Sequence, residues 1–225
     1  MKKLEIACFT LESALIAAKS EADRIELCAD ASTGGITPTI EDIKTLRTKT
    51  NKEIMVMIRP RGGDFYYSTE EFEQMKAEIT YIKSCNIDGF VFGILTKEHE
   101  IDIDRNKELI ELAHPFPCTF HRAFDRTSNE SISLEKIIEL SFKTILTSGL
   151  QNNVNKGKQI LKKLVEQANS RITVMPGGGL RSNNIDEINR STNATYFHSS
   201  AMIDNLEITN LNEINQMKTL LNSEK

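Results

Sequence analysis

Glu26, Arg59, His121 and Asp125 each fall at or just past the end of a short apolar run, and together they carry groups suited to acid–base chemistry on a small anion. Glu26, His121 and Asp125 can move protons, and these three with Arg59 are the catalytic candidates. Arg59 and Arg61, two residues apart in RPRGGD, are spaced to make bidentate contacts with a phosphate or carboxylate. A second set consists of small residues: Thr147-Ser148-Gly149, Gly177-Gly178-Gly179 after Pro176, and His198-Ser199-Ser200. Backbone N–H groups in such loops approach an anion closely, and a helix N-terminus after the last two adds partial positive charge. With Arg61, these residues are the anion-binding candidates.

Other chemistries lack their parts. No lysine stands at the inward end of an apolar run; Lys3 and Lys143 stand at the entrances, so a Schiff-base enzyme has no nucleophile. HExxH, Walker and dinucleotide fingerprints are absent, and no nucleotide cofactor is expected. Ser199 and Ser200 beside His198 do not form a nucleophile elbow. His99 and His114 fall in loop or helix-end positions and are assigned no chemistry. The four cysteines, Cys8, Cys28, Cys85 and Cys118, form no CxxC pair, which argues against a zinc module or a disulfide framework. A net charge of −4 with no basic run excludes an electrostatic footprint for nucleic acid or a membrane surface. MKKLEIACFT lacks the apolar core and cleavage site of a secretory leader, so a cytoplasmic protein with reduced thiols is expected.

Eight runs must position these residues: LEIAC, RIELC, IMVMIRP, GFVFGIL, CTFHRAF, TILTSG, ITVMP and YFHSSA. Segments of helical period lie between them, for example Phe72, Met75, Ile79 and Ile82. Ser68 with Glu71 fits a capping box, and Asn210 with Glu213 a variant of it. Strict strand–helix alternation, and no glycine-rich turn after the first strand, favour a single (β/α)₈ TIM-type barrel over residues 1–225 rather than a doubly wound sheet. Functional residues of such barrels collect at the carboxyl ends of the strands, where the candidates fall. Strand parity points Glu5, Glu26, Arg59 and His121 inward and Cys8 outward. The competing explanation is that the inward charges pair as Glu–Arg ions and only fix strand order.

RIELCA, GGITP, MIRPRGGDF, FGIL, TFHRAFD, LTSG, MPGGG and FHSSA, in this order from about Leu4 to Ala201, resemble the CutC family, named for copper homeostasis. The resemblance implies a cytoplasmic TIM-type barrel, homo-oligomers, and a role in copper tolerance or binding. Relatives proposed to hold copper through cysteines have one in the IELC motif, matched here by Cys28, which makes Cys28 the Cu(I) candidate. Their other cysteine falls at Ala7 here, with Cys8 one residue on and of opposite parity. Met57 shares the parity of Arg59 and offers a thioether. Two readings stay open: a copper-handling protein, or an enzyme doing acid–base chemistry on a small phosphorylated or carboxylated metabolite with an indirect effect on copper.

Overall fold

Strands and helices alternate because the hydrophobic period along the chain switches between two and about 3.6. The computed structural model describes residues 2–203 and 207–223, and in it each of the eight apolar runs contains a strand. The strands are β1 (Lys3–Cys8), β2 (Arg24–Leu27), β3 (Glu53–Met57), β4 (Gly89–Phe92), β5 (Cys118–Phe120), β6 (Thr144–Thr147), β7 (Thr173–Pro176) and β8 (Tyr196–Ser199). The helices that follow them are α1 (Leu11–Lys19), α2 (Ile40–Arg47), α3 (Thr69–Ile82), α4 (Ile103–Ala113), α5 (Glu130–Glu139), α6 (Val154–Ala168), α7 (Ile185–Thr192) and α8 (Leu211–Asn222).

All strand pairs are parallel, in the order β7-β6-β5-β4-β3-β2-β1-β8. The ring comes round until β7 and β8 stand side by side, with no strand ladder between them among the described residues. This is the expected (β/α)₈ TIM-type barrel.

The period of two sorts the interior into two clusters. Leu4, Ile6, Cys8, Ile25, Leu27, Ile54 and Val56 point outward into one continuous layer between sheet and helices. Cys28, Met55, Met57 and Val91 form a separate small cluster inside the barrel, with Phe9 packed against it. The remaining inner positions are largely polar, so the barrel's own interior contributes little apolar burial and the outer layer supplies most of it.

Local signals set the helix entries. Ser68 caps α3 with Glu71 bonding back, a complete capping box. Asn210 caps α8, but Glu213 turns its carboxylate to the backbone and hydroxyl of Ser182 instead, so that box is one-sided. Among the described residues, no helix is long and apolar enough to cross a membrane.

Candidate functional site

The parallel register sets Glu5 level with Arg24 on one side and His198 on the other, all inside the barrel. Arg24 Nε donates to Glu5, so the Glu–Arg pairing weighed from sequence exists at this one place. His198 Nε2 lies 2.9 Å from Glu26 Oε2 and 3.8 Å from Glu5 Oε1. One ligand atom from each of Glu5, Glu26 and His198 falls within 4.8 Å of the others. The second oxygens, Glu5 Oε1 and Glu26 Oε1, are buried without a protein hydrogen bond. Burial raises the pKa of Glu5 against the opposing pull of Arg24. Burial works against charge on His198 too, but Glu26, with Glu5 behind it, outweighs that and raises its pKa.

Above this floor opens a cavity of about 260 Å³, lined by Glu26, Arg59, His121 and His198 among others. His121 Nδ1 accepts the N–H of Ala123 at 3.3 Å, which leaves the proton of the neutral ring on Nε2. Burial, then the charge of Arg59, push its pKa down to about 3. His121 is therefore a neutral hydrogen-bond donor at physiological pH, and its Nε2 has no protein partner. Gly93 makes room for it, since an added Cβ there would lie 2.9 Å from His121 Nδ1. Arg59 donates to the carbonyls of Thr33, Gly35 and Gly63 and lies over the Phe65 ring; its Nε is buried and unpartnered.

The rim sorts the remaining candidates. Gly178, Gly179, Ser199 and Ser200 line the cavity. Gly177 lies beneath, its N–H donating to the Thr147 carbonyl. Asp125 is not on the wall: it accepts from the backbone N–H groups of Ser148 and Leu150, from Thr147 Oγ1 and from Arg122 Nε. With its oxygens so occupied, Asp125 positions Arg122, and Thr147, Ser148 and Gly149 build that clamp rather than the cavity surface. Arg61 does not join the cavity either, because Glu71, Asp64 and the Tyr66 carbonyl take its guanidinium.

Two arginines that were not candidates line the wall, Arg122 and Arg181. Strand parity could not place Arg122, because β5 ends at Phe120 and the chain turns into a 3₁₀ helix over Arg122–Arg126. Arg181 sits two residues past the glycine run, and that spacing was the only signal for it. Its guanidinium donates to Ser199 Oγ, Ser200 Oγ and the Leu180 and Met202 carbonyls.

Cys28 is buried on the inner face, where burial and the nearby charge of Glu26 hold its thiol well above the usual range. Cys8 packs in the outer layer, as its parity requires.

The donor set suits a metal of intermediate softness. Two carboxylates and an imidazole favour a divalent ion, whereas Cu(I) prefers sulfur, and Cys28 is the one thiol on the inner face.

The family model of the CutC family matches residues 2–203. A copper homeostasis protein cutC homolog from Homo sapiens is 43% identical over 198 residues, covering 88% of this chain and 72% of that protein. A CutC family protein of Parabacteroides distasonis is 44% identical, over 89% of this chain and 84% of its own length. Among solved structures, a CutC protein from Streptococcus agalactiae superposes with a TM-score of 0.85 at 32% identity, covering 89% of this chain and 99% of that one. Phosphoribosyl anthranilate isomerase from Thermotoga maritima, at 15% identity and a TM-score of 0.65 over 98% of both chains, shares the fold alone. A family match that opens just before β1 and runs past β8 takes in every wall of the cavity, and the chain belongs to the CutC family.

Proposed function

We propose that this protein serves copper homeostasis, the role for which its relatives are named, by binding a metal ion where Glu5, Glu26 and His198 converge. The observation that carries this reading is the pair of buried carboxylate oxygens without protein partners, set beside an imidazole nitrogen. Buried charge of this kind is stabilised by a cation at the same place. The finer assignment, Cu(I) on Cys28, is supported by the thioethers of Met55 and Met57 in the same buried cluster. A thiol whose pKa is raised must give up its proton to solvent as the metal binds, so that affinity rises with pH.

Titration of the wild type with Cu(II), and anaerobically with Cu(I), tests both levels. Saturation by one Cu(II) per chain that weakens at least tenfold in Glu26→Gln supports the cluster; equal affinity in the two proteins overturns it. Equal, weak Cu(I) binding by wild type and Cys28→Ala sinks the thiol site. The homo-oligomer is part of the same proposal. Sedimentation equilibrium measures it directly.

A second reading, acid–base chemistry on a small anionic metabolite, is favoured by one observation. The two histidines of the cavity are pushed apart in pKa, His121 down and His198 up, which fits one fixed donor and one proton carrier.

A further inference from the structure

Charge pairing around the cavity leaves a surplus. Glu5 answers Arg24, Asp125 answers Arg122 and Glu26 answers His198. Arg59 and Arg181 have no carboxylate partner among the described residues; their hydrogens go to carbonyl and hydroxyl oxygens. Both line the cavity, Arg59 is only 4% exposed, and its Nε has no partner at all. A guanidinium charge withdrawn from water without a counter-charge, as at Arg59, is costly unless an anion enters with it, and the half-buried Arg181 adds a second positive charge to the same wall. A surplus of two matches a dianion rather than a monoanion.

The rim supplies a place for it. Arg122 is held by Asp125 through Nε and by Ser148 through Nη2, while its Nη1 donates to no protein group among the described residues. Nη1 lies against the Gly178 turn, where an added Cβ would be 3.2 Å from it. Gly178 and Gly179 adopt φ of 104° and 75°, a conformation open to glycine, and they leave backbone rather than side chain at the cavity wall. Deeper in, His121 Nε2 is an unpartnered donor and Glu26 Oε1 an unpartnered acceptor. Hydroxyl groups satisfy both kinds at once.

We propose that the cavity binds a small hydroxylated phosphate monoester, its phosphate on Gly178, Gly179, Arg122 and Arg181 and its hydroxyls toward Glu26 and His121. This binding names the ligand class of the anionic-metabolite reading and rests on it; it shares Glu26 with the copper reading but needs no metal.

Calorimetric titration of the full chain, stripped of metal with EDTA, tests it with glycerol 3-phosphate, inorganic phosphate, glycerol and glycerate. Glycerol 3-phosphate is expected to bind one per chain, at least tenfold tighter than phosphate or glycerate, with no measurable heat from glycerol. Arg122→Gln is expected to weaken it tenfold or more and Arg122→Lys to recover part of that, with the thermal midpoint of both variants close to wild type. Glu26→Gln narrows the gap between glycerol 3-phosphate and phosphate. The proposal is overturned if glycerol 3-phosphate fails to bind, if glycerate binds as well, or if Arg122→Gln changes nothing.

Discussion

His121 and His198 share one cavity yet their pKa values are pushed in opposite directions: burial, then the charge of Arg59, lowers one, while Glu26 outweighs burial and raises the other. Glu26→Gln removes the attraction that offsets burial at His198, so its pKa is expected to fall by about one pH unit or more, read from the imidazole resonances in an NMR titration. An unchanged titration would mean that Glu26 does not control this ring. Stability depends on both histidines, with opposite sign. His121, pushed down to about 3 from an ordinary 6.5, contributes stability that is complete above 6.5 and lost as pH falls through its folded value, because the unfolded chain binds the proton first. His198, raised, contributes stability present below 6.5 and lost as pH rises through its folded value. Urea midpoints of His121→Asn between pH 7 and pH 4 should therefore decline less steeply than those of the wild type. An equal slope would show that other groups govern the acid limb.

The elements were more legible than the residues they carry. Ser68→Ala breaks the reciprocal box at the start of α3 and is expected to cost about 1 kcal/mol, measured by equilibrium urea unfolding. Such boxes, and the eight apolar runs, are local signals, so the barrel and its strand ends could be read from sequence. Parity also served within strands: Glu5, Glu26 and Cys8 face where alternation puts them. It failed where strands stop. Beyond Phe120 the backbone becomes a 3₁₀ turn, so Arg122 reaches the cavity while Asp125, of the same parity as His121, turns to clamp Ser148. Arg61 keeps the parity of Arg59, but a carboxylate from the first turn of α3 draws it outward. Which charges would find partners depends on contacts between distant segments, and one chain's alternation carries no information about those.

At the scale of the molecule, seven ladders of backbone hydrogen bonds join neighbouring strands, and the eighth junction, between β7 and β8, is made otherwise. Arg181 spans it at the mouth, reaching from the loop after β7 to Ser199, Ser200 and the Met202 carbonyl, and Ser199 Oγ returns a bond to Leu180. Arg181→Met should speed amide exchange along β7 and β8 while leaving β2, β3 and β4 as protected as before; uniform acceleration would instead signal loss of global stability. A junction of side chains differs from a ladder in what it permits. Ladder spacing is fixed by peptide geometry, whereas a guanidinium and two serine hydroxyls can trade partners and reform at slightly different separations. Among the described residues the β7–β8 line is thus the junction not set by ladder spacing, and it runs into the glycine turn at the cavity. Widening there would admit a molecule from the side of the mouth, between two strands, without any loop having to swing away.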